Sequence, residues 1–151
     1  MNDRTVIHST FSLERVYDAP AGRVFVAWAD PAAKARWFSP GGPHELDFRV
    51  GGREVAQGRG PEGQALTFES RYHDIVIDQR IAYTSTLSAG ENVVTMSLTT
   101  VEFTPDGDST RLVLTEHGAF LDGHEQPDWR EQGTSEQLDA LGAELKVRPG
   151  A

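Results

Sequence analysis

Glu116 and His117 stand side by side at the end of an apolar run, "TRLVLTEHG". A carboxylate turned into an apolar recess has its pKa raised by desolvation, and could orient a hydroxyl or amine or serve as a general base. An extended segment sends neighbours to opposite faces, so the two side chains do not form one dyad there. The ordinary alternative for Glu116 is an ion pair with an arginine, Arg53 being the candidate. Glu45 and Asp47 fall at i, i+2 on one strand face and could act as paired carboxylates, or simply form a solvated face. Five histidines are spread at 8, 44, 73, 117 and 124. A catalytic zinc typically takes three converging protein ligands. With no His-x-x-x-His and no cysteine pair, no metal is expected. Serine and threonine are plentiful, yet no "GxSxG" occurs to support a hydrolase triad. "GRGPEG" lacks a following "GK[ST]" and reads as a turn rather than a phosphate loop. No catalytic constellation emerges, so the chain reads as a non-enzyme without a cofactor.

The elements that must position these residues follow from periodicity. "FSLERVYDA" alternates at Phe11 and Leu13, after which Val16 and Tyr17 break register, as in a twisted or bulged strand. Pro20 opens a helical stripe of Val24, Phe25 and Trp28. Asp30 is an N-cap candidate and Pro31 a first-turn residue for a second short helix, which carries Trp37 and Phe38 and ends at "SPGGP". Strands then follow in series: "HELDFRV", "REVAQGRG", "QALTFESRYHDIVI", "RIAYTSTL", "VVTMSLTTVEF" and "TRLVLTEHG". Turn signals separate them, Gly51-Gly52 among these, with "PEG" at 61–63 and "TPDGDS". Short turns between consecutive strands mean an antiparallel meander. The tail from Asp128 reads as helix, with Leu138, Leu141 and Leu145 on one stripe. Its start is either Asp128 with Glu131 or Thr134 with Gln137, two competing capping boxes. If the helix is long, Gly133 marks a place where something approaches the backbone. "RPGA" reads as a frayed end.

This order is an α+β fold: one curved antiparallel sheet, two short helices after the first strand, and a C-terminal helix laid on the sheet. The short helices cap one end of it. One domain over residues 1–151 is expected, with its core at about 8–146.

The 151 residues carry 23 acidic against 14 basic side chains, a net charge of -9. That excludes a phosphate-backbone binder, which needs a basic stripe, so no nucleic acid is expected as a partner. Apolar runs are too short for a membrane span. The opening "MNDRTVIHST" has no apolar core or small-residue cleavage pattern, so no signal peptide is expected. With no cysteine, a reducing, cytoplasmic location is expected.

The stretches "ERVYDAPAGRVFVAWADPAAKARWFSPGG", "RVGGR" at 49–53, "QRIAYT" at 79–84 and "TRLVLTEHGAF" at 110–120 resemble the bacterial relatives of the heat-shock-protein-90 ATPase activator homologues. These belong to the START-like, SRPBCC superfamily with a helix-grip fold. The first stretch is the most specific. The resemblance implies a cavity between the curved sheet and the C-terminal helix, used in the superfamily for apolar small molecules, and it leaves the reaction, if any, to the site itself. Relatives often carry Gly-Trp at the start of the last helix; here Gly133 is followed by Thr134. The cavity is then larger or more polar, or Trp129 fills the space one turn earlier.

Period-2 reading selects the concave face. Candidate cavity residues are Trp37 and Phe38 from the cap, Phe68, Tyr83, Met96, Leu98, Leu114 and Glu116 from the strands, and Leu138 and Leu141 from the last helix. Such apolar side chains either line a cavity or fill a core. The expected function is intracellular binding of an apolar or amphipathic small molecule. A co-chaperone-like interaction domain with a chaperone partner is the alternative that the resemblance implies. A small-molecule cyclase or hydrolase, using Glu116 or Tyr83 to move a proton, is a third. Exposed sheet edges leave a homodimer open.

Overall fold

In a computed structural model the described residues are 4–60 and 62–147. The expected frayed end at 148–151, and Pro61 of the expected 61–63 turn, lie outside them. The first strand, β1 (Val6–Tyr17), pairs with β7 (Ser109–Leu121) in unbroken antiparallel register. Phe11, Leu13 and Tyr17 therefore share the inner face and Val16 stands outside, 59% exposed. The expected bulge is absent from β1 because Tyr17 continues the Phe11 face; Val16 is simply an outward valine.

Two short helices follow. Helix α1 (Ala21–Ala29) starts after Pro20, whose extended backbone forms the N-cap, and buries Val24, Phe25, Ala27 and Trp28. Helix α2 (Pro31–Phe38) has Pro at its first turn, and the Asp30 carboxylate accepts from the Ala33 N–H at 2.9 Å. Trp28 and Trp37 meet edge to face at 4.9 Å, and the Trp37 indole donates to the Ala27 carbonyl. These tryptophans lock the two helices over the end of the sheet.

Strands β2 (His44–Leu46), β3 (Arg53–Arg59), β4 (Ala65–Val76), β5 (Arg80–Ala89), β6 (Asn92–Asp106) and β7 complete a seven-stranded sheet in the order β1-β7-β6-β5-β4-β3-β2. All pairs are antiparallel. "HELDFRV" is a strand only as far as Leu46; residues 47–52 leave the ladder in an arch. Register shifts at Tyr72/Asp74 in β4 and at Val93/Thr95 in β6, opposite Leu87/Ser88, increase the local twist.

Helix α3 (Pro127–Val147) crosses the concave face and buries Leu138, Leu141 and Leu145. Neither expected capping box starts it. Pro127 occupies its first position, which suits a residue without an N–H, and the Thr134 hydroxyl donates back to the Arg130 carbonyl in mid-helix. The Tyr17 hydroxyl donates to the Leu138 carbonyl at 2.7 Å, Arg15 reaches Ser135 and Asp139, and Gln137 donates to the Phe38 carbonyl. The helix is thus fastened to both β1 and the cap. Sheet, cap and helix together form the α+β helix-grip architecture.

Candidate functional site

Between α2, α3 and the strands β3–β5 and β7 lies a pocket of about 330 Å³. Trp37 and Phe38 form one wall, with Phe68 against Phe38 at 5.5 Å between ring centres. Tyr83, Leu114 and Leu138 line the interior. Leu141 is fully buried in the core outside the pocket lining. Gly133 borders the pocket, and a Cβ there would meet nothing within 4 Å. The expected close approach at Gly133 is therefore not present: the glycine faces open space. Trp129 stands at the mouth, 56% exposed.

Met96 and Leu98 are not on this face. They are 46% and 44% exposed on the outer surface of the sheet. The inner face of β6 is Thr95, Ser97, Thr99, Val101 and Phe103. The bulge at Val93–Thr95 buries both Val94 and Thr95, so reading onward from Val94 lands on the wrong face. The inward threonines satisfy carboxylates, which the apolar alternation could not reveal.

Glu116 does point inward, opposite Thr99 in the ladder. Its Oε1 accepts from the Thr99 hydroxyl at 2.9 Å, and its Oε2 lies 3.1 Å from Arg130 Nη1. Arg53 is not its partner. Strand alternation turns Arg53 outward, where it pairs with Glu69. Arg130 instead bridges two carboxylates, also donating from Nε and Nη2 to Glu125 at 3.1 and 2.9 Å. Thr95 donates to Glu125 at 2.6 Å. Burial works against the guanidinium charge, but the bonds and charges of Glu125 and Glu116 hold the Arg130 pKa above its ordinary value. Burial, then the charges of Glu116 and Glu54, push the Tyr83 phenol up, keeping it a hydrogen-bond donor. His117 faces outward, with Nδ1 2.9 Å from the Thr10 hydroxyl.

A second polar cluster lies behind the aromatic wall. Lys34 is 0% and Glu54 1% exposed. Lys34 Nζ sits 3.0 and 2.9 Å from the two Glu54 oxygens, and 4.3 Å from the Phe38 ring centre. The Tyr72 hydroxyl donates to Glu54 at 2.9 Å, and His44 Nε2 lies 2.7 Å away. Burial opposes the Glu54 charge, yet Lys34 and the hydrogen bonds of His44, Lys34 and Tyr72 outweigh it and hold the carboxyl below its ordinary range. Desolvation pulls the Lys34 ammonium down against the attraction of Glu54. Nothing in the local pattern marked this cluster, although Glu54 does alternate with outward Arg53 and Val55. Glu45 and Asp47 are exposed, the latter paired with Arg49 at 2.9 Å. Among the described residues no group of three or more His, Asp or Glu side chains is arranged to hold a metal, and no helix is long and apolar enough to cross a membrane.

The family model described as "Activator of Hsp90 ATPase homolog 1-like protein" matches residues 18–146. No functionally curated protein matches the chain. Among solved structures, an uncharacterized protein from Rhizobium leguminosarum is 38% identical, with 97% of this chain and 99% of that one covered and a TM-score of 0.91. Protein Mll3558 from Rhizobium loti is 46% identical over 93% of this chain and 99% of its own, with a TM-score of 0.86. Protein CV1439 from Chromobacterium violaceum is 30% identical over 89% and 94%, with a TM-score of 0.75.

Proposed function

The chain belongs to the family of activator of Hsp90 ATPase homolog 1-like proteins, and from that premise we propose that it is a cytoplasmic, non-catalytic binder of a small apolar or amphipathic molecule. The carrying observation is the pocket of about 330 Å³, with aromatic walls and a buried Glu116–Arg130–Glu125 cluster at one end. That volume falls at the lower end of the usual ligand-site range of ~300–1,000 Å³. Binding the folded state alone raises stability by mass action, roughly 2.7 kcal/mol at a hundred times Kd. An uncharged apolar fluorescent probe such as N-phenyl-1-naphthylamine should therefore bind and raise the melting temperature. Gly133→Phe, which projects a ring into the open space, should remove both effects while the chain stays folded. An unmoved melting temperature across a ligand panel, with no molecule retained in native mass spectrometry, removes the reading.

The family description favours a second reading, docking on a chaperone ATPase through the protein surface. Stimulation of an Hsp90-type ATPase by the saturating protein supports it; an unchanged rate ends it. The twelve-residue edge strand β1 also suits a homodimer, which light scattering decides.

A further inference from the structure

The polar end of the pocket carries more negative charge than positive. Glu116 and Glu125 face one guanidinium, that of Arg130, in a cluster whose side chains are 8%, 15% and 9% exposed. Arg59, the other cation in the lining, is exposed at the rim and donates to the Gly63 carbonyl. The amino end of α3 adds about half a positive charge, which Asp128 in the same first turn answers. Lys34, behind the aromatic wall, is matched by Glu54. The buried cluster therefore sums to one negative charge.

Hydrogen bonding points the same way. Thr95, Thr99 and three guanidinium nitrogens donate five bonds to the two carboxylates. Two carboxylates can accept about eight, so acceptor capacity is left over. We infer that the pocket takes one- or two-ring compounds bearing a protonated amine, the ammonium seated against Glu125 and Glu116 and the rings against Phe38 and Phe68. This rests on the binder reading above. An ammonium supplies donors without acceptors and cancels the residual charge. A carboxylate ligand would add to the excess, and the volume leaves no room for a long acyl chain.

Calorimetric titration of the intact chain at pH 7 with 1-naphthylmethylamine, 1-naphthylmethanol and 1-naphthoate tests this with one ring system and three head groups. The amine should bind ~10-fold or more tightly than the naphthoate. Glu125→Gln should bring the amine and the alcohol to within ~3-fold of each other. The ranking in the unaltered chain stands even if that variant fails to fold. Equal affinity for all three probes, or a preference for naphthoate, overturns the amine assignment and leaves the binder reading intact. No binding by any of the three also overturns it. The binder reading falls separately, if the uncharged N-phenyl-1-naphthylamine also leaves the melting temperature unmoved and native mass spectrometry retains no molecule.

Discussion

Three side chains, Lys34, His44 and Tyr72, meet at Glu54, and their energetics differ from those of the surface pairs. Arg49–Asp47 and Arg80–Asp74 are largely solvated, so each contributes little. Lys34 and Glu54 have left water entirely, and removing one partner strands the other charge. Lys34→Met should cost about 3–5 kcal/mol in urea unfolding. The Lys34→Met, Glu54→Gln double variant should cost less than the sum of the singles by roughly 1–3 kcal/mol; strictly additive losses contradict a coupled pair. The same pair sets an acid response. The folded Glu54 pKa lies below its ordinary 4.5, so at pH values between the two the unfolded chain binds more protons. Its stabilisation is complete above about 4.5 and is lost as pH falls through the folded value. The acid limb of a stability-versus-pH profile should be steeper for the natural chain than for the double variant.

At the scale of elements, the arch at 47–52 decides where β2 ends. Alternation of Leu46, Phe48 and Val50 reads as one strand, but Gly52 N–H donates to the Arg49 carbonyl and Gly51 N–H to the Tyr72 carbonyl at 2.8 Å. The chain turns at Gly51 with φ of +85°, which suits a residue without a Cβ. Phe48 still points inward against Phe25 and Tyr72. A Cβ on Gly52 would collide with the Asp47 carbonyl. Gly52→Ala should therefore lower stability by about 2–4 kcal/mol, at roughly 2–4 °C of melting temperature per kcal/mol. Gly133→Ala is the opposite case: it is helical, meets open space, and should raise stability by about 0.5–1 kcal/mol. Thermal unfolding followed by circular dichroism checks both signs.

At the scale of the molecule, the sheet has one face for α3 and one for solvent, and the bulges set which residue faces which way. Met96 and Leu98 are outward, so replacing both with threonine should change stability by no more than about 0.5 kcal/mol per site. Leu114, 2% exposed on the opposite face, should cost about 2–5 kcal/mol as alanine. A large loss from the outer pair, read by denaturant unfolding, would mean that the outer face is covered. Closure of the fold depends on contacts far apart in sequence: Arg36 with Glu144, Tyr17 with Leu138, and Gln137 with Phe38.

Local pattern alone determined the element order, the tryptophans of the cap and the leucine stripe of the last helix. Each depends on spacing within one element, where backbone geometry repeats every two or 3.6 residues. Only the tertiary structure decided that Arg130 rather than Arg53 meets Glu116, that threonines rather than Met96 and Leu98 face inward on β6, and that Lys34 and Glu54 are buried together. Charge partners are chosen by distance after folding, and a single bulge reverses the sidedness of every residue beyond it.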